Sequence, residues 1–240
     1  MTATLEPLRT GRRRLPWPLD LYESAVGKKY AMAVTGIVLM AYVFAHMLGN
    51  LKLYLGPAYI DRYGGWLRTL GEPALPRTTA LWAIRVALIV ALALHVHAAW
   101  SLTRLDLRAR PERYHRRSDY IAANFASRTM RWTGPIVGLF IVYHLFDLSW
   151  GQANPTFVRA AVYHNVVASF SRWPVAVVYI VANAALGVHL YHGAWSLFQS
   201  LGWNHPRWNI WRRWFAGTFA VMVAAGNMSF PILVLAGVVS

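Results

Sequence analysis

Five long apolar segments, separated by polar connections, make up most of this 240-residue chain. They run approximately over residues 30–53, 79–105, 131–150, 173–201 and 214–239. An α-helix needs about 20 apolar residues to cross a bilayer core about 30 Å thick, and each segment meets that length. The pattern therefore predicts an all-α integral membrane protein with five transmembrane helices.

The polar parts of the chain form a tail and four connections. Residues 1–28 are a tail with the basic runs RTGRRR and GKK, and residues 29–240 contain all five apolar segments. Residues 106–128 are a basic, hydrophilic connection. The connection after the first segment is rich in glycine and proline, and the one after the third contains Asn154-Pro155, so we expect loops in both places. These features predict a basic tail followed by one membrane domain.

The composition supports a membrane protein and excludes several kinds of site. Hydrophobic residues make up 57% of the chain and charged residues only 14%, about half of the charged share in soluble domains. The net charge of +15 is therefore interpreted as a membrane feature and not as a nucleic-acid-binding surface. Because there is no cysteine, this chain cannot itself hold a thiolate-bound iron–sulfur cluster, a disulfide or a covalently attached haem.

The basic residues are unevenly distributed between the two ends of the predicted spans. The tail, residues 104–131 and the last connection together carry 17 lysines and arginines, whereas the two connections at the opposite end carry six. Basic connections are retained in the cytoplasm during membrane insertion. We therefore expect the N-terminus in the cytoplasm and the C-terminus outside. The same basic face could dock an acidic partner or membrane lipid.

Each of the first four predicted spans contains a histidine, and an imidazole in hydrocarbon needs a partner. With a rise of 1.5 Å per residue, His46 and His144 lie about 25 Å and 20 Å from the inner edge. His97 and His189 lie about 27 Å and 24 Å from the outer edge. The four side chains thus form an outer and an inner layer, each with histidines from two helices. This predicts two bis-histidine haems in a di-haem bundle of the first four helices.

Depth alone does not decide which of two neighbouring histidines is the metal ligand in the second and in the fourth span. His95 precedes His97 by two residues and points about 200° away from it around the helix, and His192 follows His189 by three residues on nearly the same face. The two layers are expected to lie roughly 15–20 Å apart across a core of about 30 Å. The competing interpretation is a haem-free transporter or scaffold whose histidines pack helices or relay protons.

Polar residues at both ends of the spans are further candidates. At the outer end, Arg85 lies about 9 Å below the membrane edge, and Asp147 follows His144 by one turn, where the two could pair. Further outer candidates for haem-propionate contacts are Asn50, Lys52, Tyr54 and Trp150. Inner candidates for propionates or a docked partner are Ser24, Lys28, Lys29, Arg104, Arg131 and Trp203. The ordinary alternative at both ends is an interfacial belt.

Several stretches resemble one protein family. The sequence GKKYAMAVTGIVLMAYVFAHMLGNL at residues 27–51 resembles the first helix of the membrane-anchor cytochrome b subunit of succinate dehydrogenases and fumarate reductases. LHVHAAWSLTR at 94–104, IVYHLFDLSWG at 141–151 and GVHLYHGAWSLFQSLGWN at 187–204 look like its later haem helices. The resemblance covers essentially the whole chain and is to the single-polypeptide, five-helix, di-haem type.

This resemblance implies how the ligands pair. In that family the first helix pairs with the third at the outer haem b, and the second with the fourth at the inner haem b. The family pattern selects His97 over His95 and His189 over His192. Certain di-haem fumarate reductases have a glutamate at the position of Gly187, so a proton path by that route is not expected here.

The resemblance also implies partners and location. A flavoprotein subunit would oxidise succinate, an iron–sulfur subunit would dock on the cytoplasmic face, and a quinone, typically menaquinone, would accept electrons in the inner membrane of a prokaryote. The outer candidates for the quinone site are Arg85, Asp147 and Trp150, and the alternative inner candidates are Ser24, Lys28 and Trp203. The chain would then be an electron-transfer subunit with a share in the quinone site, and not the succinate-oxidising catalyst. The alternative within the cytochromes b is the di-haem subunit of another respiratory enzyme, such as a hydrogenase or formate dehydrogenase.

Overall fold

The computed structural model describes residues 16–17, 19–109, 125–203 and 205–240. Within this part of the chain all regular structure is helical, and there is no β-strand. Most of the basic tail and residues 110–124 of the basic connection lie outside the described residues. For the described residues, the prediction of an all-α chain is confirmed.

In the described part of the chain, five helices are long and apolar enough to cross a membrane, as predicted. They are α2 (Ala25–Asn50), α4 (Thr79–Ala109), α5 (Phe125–His144), α7 (Trp173–Ser200) and α8 (Asn209–Leu235). The shorter elements are α1 (Leu19–Glu23), α3 (Pro57–Thr69), α6 (Val162–Phe170), 3₁₀ turns at Leu51–Leu55 and Pro206–Trp208, and a π-helical turn at Leu145–Ser149. The predicted ends of the spans lie within six residues of the observed helix ends.

The long helices pack as a bundle around α7. This helix packs most extensively against α8 and also against α5, whereas α2 packs against α4 and contacts both α7 and α8. A Cβ atom at Gly187 of α7 would lie 2.9 Å from Ala224 Cβ of α8, and Gly226 of α8 lies directly against Met47 of α2. Small residues of this kind allow close helix packing in lipid. The helix α8 therefore braces α7 and α2, two of the four histidine-bearing helices.

Two connections that were expected to be loops contain helices. Helices α3 and α6 pack against each other, at the end of the bundle where α2 and α5 finish. The backbone N–H of Tyr163 donates to Asp61 Oδ1 at 2.9 Å, so a carboxylate of α3 caps the first turn of α6. Gly64 of α3 faces Val162 of α6. The expectation of loops is wrong here because the two segments form helices that bury their apolar sides against each other.

A side-chain cap begins α2 at the inner end of the bundle. Ser24 Oγ accepts a hydrogen bond from the Gly27 N–H at 2.9 Å, which satisfies an N–H that has no partner within the helix. Lys28 Nζ donates to the carbonyl oxygens of Tyr22 and Glu23 at 3.1 Å and 2.7 Å. These bonds hold α1 against the start of α2.

Candidate functional site

The two histidines of the outer layer lie close together in the structure. The rings of His46 on α2 and His144 on α5 have centroids 5.9 Å apart and planes at 89°. Tyr42, one turn before His46, stacks on the His46 ring at 5.5 Å. Tyr179 of α7 places its hydroxyl oxygen 3.4 Å from His144 Nδ1. Two imidazoles from different helices therefore face each other within one aromatic cluster.

The inner layer pairs His189 with His95. Their ring centroids are 6.4 Å apart and the ring planes meet at 60°. His95 Nδ1 lies 3.2 Å from Thr35 Oγ1, so a hydrogen bond ties this ring to α2. In the described part of the chain, the buried Nδ1 atom of His189 has no hydrogen-bond partner. In this pair, the His95 imidazole is therefore held by a hydrogen bond, whereas Nδ1 of His189 has no partner among the described residues.

His97 lies on the opposite side of α4, where its side chain is exposed. It forms a hydrogen bond with the Tyr22 hydroxyl at 2.6 Å, and the two rings stack with centroids 5.7 Å apart. Burial raises the pKa of the Tyr22 phenol above its usual value. The selection of His97 over His95 disagrees with this geometry. Residues two apart on a helix point about 200° apart, and the packing of α4 on α2 turns His95 inward.

Two helices give the same separation between the layers. On α2, Thr35 lies at the inner pair and His46 belongs to the outer pair, eleven residues further along. On α7, Tyr179 lies at the outer pair and His189 belongs to the inner pair, ten residues further along. At 1.5 Å per residue these spacings correspond to about 15–17 Å along the helix axes.

The geometry of both pairs suits two axial ligands of one metal. Two imidazoles bound through metal–nitrogen bonds of about 2 Å have ring centroids roughly 6 Å apart, which compares with 5.9 Å and 6.4 Å here. Glycines lie beside the inner pair: a Cβ at Gly36 would be 3.6 Å from His95 Cε1, and one at Gly134 would be 3.9 Å from His189 Cε1. A methyl group at either position would therefore be in van der Waals contact with the ring beside it.

Each pair offers two imidazole ligands to a metal. Among the described residues there is no cluster of three or more histidine, aspartate or glutamate side chains that could hold a metal ion. A pair of imidazoles is therefore sufficient only for a metal whose other ligands are supplied with it, as the porphyrin does in haem.

Asp147 is completely buried in the π-helical turn that follows α5, and three side chains hold it. Arg172, directly before α7, donates to Asp147 Oδ1 at 2.7 Å. Tyr179 donates to Oδ2 at 2.9 Å, and Ser169 donates to Oδ2 through a short hydrogen bond. The suggested pairing of Asp147 with Arg85 is therefore wrong, because Arg172 takes that place.

Arg85 lies on the exposed face of α4 and not in the interior. It precedes His95 by ten residues, which places it about 15 Å from the inner pair and therefore level with the outer pair. Its guanidinium lies over the Trp82 ring at 4.9 Å and within electrostatic range of Tyr42. Arg85 and Tyr42 thus border the outer pair from the exterior of the bundle.

The other candidates at the outer end make contacts typical of interfacial residues. Lys52 Nζ lies over the ring of Tyr63 at 4.5 Å. Trp150 is exposed and packs edge-on against Phe146 with ring centroids 5.1 Å apart. Asn50 is the last residue of α2 and is half-buried.

At the inner end, most of the candidate residues are exposed or hold the backbone. The exposed basic candidates are Lys29, Arg104 and Arg131. Arg104 lies over the Trp100 ring at 5.5 Å. Ser24 and Lys28 are engaged in the α2 cap and in the attachment of α1. These residues therefore form a basic surface and not an internal site.

Trp203 borders a cavity of about 720 Å³ between the end of α7 and the start of α8. The other residues that line it are Phe198, Gly202, His205, Trp211, Arg212 and Phe215. Arg212 donates to the carbonyl oxygen of Trp203 at 3.1 Å, which ties the start of α8 to the end of α7. An aromatic cavity with a few polar groups is the usual form of a small-molecule site.

The sequence analysis missed the side chains that surround Asp147. From the sequence, Arg172 was counted only among the six basic residues of the outer end, and Tyr179 and Ser169 were not predicted to have a role. The arginine directly before a predicted span was an available signal, since a carboxylate near hydrocarbon requires a cation. Tyr179 and Ser169 carried no comparable signal, because tyrosine and serine are common in membrane helices.

Comparison with known proteins identifies no relative: no family model, no curated protein and no solved structure matches the chain.

Proposed function

We propose that this chain is the cytochrome b membrane-anchor subunit of a succinate:quinone oxidoreductase. It would carry electrons from an iron–sulfur subunit through two b-type haems to a quinone. The chain would also anchor the flavoprotein that oxidises succinate. The resemblance of residues 27–51 and 187–204 to that family supports this assignment.

The observation that carries the proposal is the pair of facing imidazoles in each of two layers. The centroid separations of 5.9 Å and 6.4 Å match axial ligation, and the layers lie about 15 Å apart along the helices. A histidine that only packs helices needs a hydrogen-bond partner for its ring nitrogens. It does not need a second imidazole with its ring centroid about 6 Å away. We propose His46 and His144 as ligands of the outer haem, and His95 and His189 as ligands of the inner haem.

The residues of this chain would hold and orient each group. When bound, a haem would supply a one-electron redox centre at each layer. Thr35 fixes the His95 ring through Nδ1 and leaves its Nε2 atom for coordination. Tyr179 contacts His144 at the same ring position, Nδ1. A hydrogen bond to one ring nitrogen sets which of the two is available to a metal.

The basic end of the molecule is proposed to face the cytoplasm and to meet the iron–sulfur subunit. The inner histidine pair is on this side of the bundle, so electrons would enter there. The exposed side chains of Lys29, Arg104 and Arg131 contribute to that surface. Basic residues retained in the cytoplasm during insertion give the orientation its physical basis.

Quinone chemistry is proposed at the outer pair, next to Arg85 and Tyr42. Both side chains are exposed on the surface of the bundle, where a quinone dissolved in lipid can reach them. Arg85 offers a cationic donor to a quinone oxygen, and Tyr42 stacks on His46 at 5.5 Å. Asp147 is excluded from direct contact because it is fully buried and both of its oxygens are occupied.

Purification of the membrane complex tests the proposal. A reduced-minus-oxidised optical spectrum and a pyridine haemochrome assay should give two b-type haems per chain. A flavoprotein and an iron–sulfur protein should co-purify, and the complex should reduce a quinone with succinate as electron donor.

Each outcome separates the alternatives. Absence of haem would indicate a transporter or scaffold. Two haems with hydrogenase or formate dehydrogenase subunits, in place of the succinate-oxidising ones, would assign the chain to another respiratory enzyme.

A further inference from the structure

The surroundings of His144 differ from those of every other histidine in the two pairs. Its Nδ1 atom lies 3.4 Å from the Tyr179 hydroxyl, and that hydroxyl donates to Asp147 Oδ2 at 2.9 Å. The three residues come from α5, from the π-helical turn and from α7. They form a continuous chain from a buried carboxylate to a proposed metal ligand.

The number of available protons determines which group donates in each hydrogen bond between Asp147, Tyr179 and His144. Arg172 donates to Asp147 at 2.7 Å and holds it as a carboxylate, which can only accept. The single hydroxyl proton of Tyr179 is therefore given to Asp147, and the Tyr179 oxygen can only accept from His144 Nδ1–H. This places the proton of His144 on Nδ1 and leaves Nε2 free for a metal.

The arginine that pairs with Asp147 is itself held by further hydrogen bonds. Arg172 also donates to the carbonyl oxygen of Ala153 at 2.8 Å and to Ser169 Oγ at 3.1 Å. The Arg172 side chain is 32% exposed, so it reaches the outer surface, whereas Asp147 is 0% exposed. The negative charge of Asp147 therefore stays in the interior next to Tyr179.

We propose that Asp147 acts through Tyr179 as a positioning group for His144 and makes this imidazole a stronger electron donor to the outer haem. A ligand histidine whose N–H is bonded toward a carboxylate is more basic, and stronger donation with a nearby negative charge stabilises the ferric state. The midpoint potential of the outer haem is therefore lower than it would be without this chain. This inference rests on the proposed function, which supplies the haem.

The inner pair provides an internal reference. His189 Nδ1 has no partner among the described residues, and His95 Nδ1 bonds only to the neutral hydroxyl of Thr35 among the side chains described. Changes at Tyr179 or Asp147 should therefore affect the outer haem and leave the inner haem unchanged.

The test uses Tyr179→Phe and Asp147→Asn, with Tyr143→Phe as the matched control. Tyr143 packs against the Tyr179 ring with centroids 6.1 Å apart but lies outside the hydrogen-bonded chain. Haem content, the midpoint potentials of both haems and the electron paramagnetic resonance g-values of the ferric haems are measured on the purified complex. We expect both test variants to retain two haems, with a raised outer potential, shifted outer g-values and an unchanged inner haem.

Other outcomes would overturn the proposed role of Asp147 and Tyr179. If Tyr179→Phe and Asp147→Asn titrate like Tyr143→Phe, the proposal is overturned although the haem assignment stands. If one of the two variants loses the outer haem, the outer midpoint potential of the other variant, compared with that of Tyr143→Phe, tests the proposal. Loss of the outer haem in both would show a purely structural role and would also overturn it. Absence of haem from the unmodified chain would instead remove the proposed function itself.

Discussion

At the scale of the residue, the buried charge of Asp147 determines which side chains pack together at the outer end of the bundle. Asp147 has no exposure to solvent, and an isolated carboxylate in such a place would cost several kcal/mol. Arg172, Ser169 and Tyr179 offset this cost with one ion pair and two further hydrogen bonds. The connection between α6 and α7 is thereby attached to the end of α5.

Removal of the cation should destabilise this end of the protein. Arg172→Met leaves Asp147 buried without a counter-charge, and loss of one partner of a buried ion pair costs about 3–5 kcal/mol. We expect a value toward the lower end of that range, because Arg172 itself is partly exposed. Thermal unfolding in detergent measures it. Arg159→Met, at an exposed arginine between the π-helical turn and α6, is the control and should change stability little.

A second prediction at this scale concerns the choice between two neighbouring histidines. His95→Ala should remove the inner haem because His95 faces His189, whereas His97→Ala should keep both haems because His97 faces outward to Tyr22. Pyridine haemochrome assays on the two variants give the answer. Retention of two haems in His95→Ala together with loss in His97→Ala would reverse the assignment made from the structure.

At the scale of the element, small residues decide which helices approach each other closely. Gly187 on α7 faces Ala224 on α8, and Gly226 on α8 faces Met47 on α2. Without a hydrophobic driving force between helices in lipid, such close packing is a main source of association. The helix α8 therefore holds α7 and α2 from one side, which keeps the histidines of both helices at fixed positions.

Enlargement of one of these glycines should separate α7 from α8. In Gly187→Ala the new Cβ would lie 2.9 Å from Ala224 Cβ, so the helices must shift, at a cost of about 1–3 kcal/mol. Gly217→Ala is the matched control, since nothing lies within 4 Å of its Cβ position on α8. There the change should be neutral or stabilising by about 0.5–1 kcal/mol, because alanine favours the helix. Equal unfolding temperatures for the two variants would argue against a tight interface at Gly187.

At the scale of the whole molecule, the two ends of the bundle differ in charge and in construction. Among the described residues, more lysines and arginines lie at the inner end than at the outer end, whereas α3 and α6 pack together over the outer end. The two histidine layers lie between these ends, about 15 Å apart. In the proposed orientation, the inner layer would lie on the cytoplasmic side of the membrane and the outer layer on the opposite side.

The orientation is testable because the chain has no cysteine of its own. A single cysteine at Asp106 marks the end of α4, and one at Gln152 marks the connection after α5; both positions are exposed. With the N-terminus in the cytoplasm, a membrane-impermeant maleimide should label Gln152→Cys in intact spheroplasts. It should label Asp106→Cys only after lysis. The reverse pattern would invert the proposed topology.

The site of quinone reduction is a further prediction at this scale. Arg85→Leu should lower succinate:quinone turnover while haem content and electron transfer to a soluble dye are retained, because Arg85 borders the outer pair from the lipid side. Trp203→Leu, at the inner cavity, is the comparison. If Trp203→Leu impairs quinone reduction and Arg85→Leu does not, the quinone binds at the inner end.

The apolar pattern by itself determined that five helices can cross a membrane and where each lies along the chain, because the length of an apolar run is a local property. It also placed His46 and His144 in one layer, since depth depends only on the rise along each helix. The tertiary structure alone decided that His95 and not His97 turns inward, because rotation about a helix axis depends on the helix that packs against it. It also decided that Asp147 pairs with Arg172, since a buried charge is matched by whichever cation the fold brings within hydrogen-bond distance.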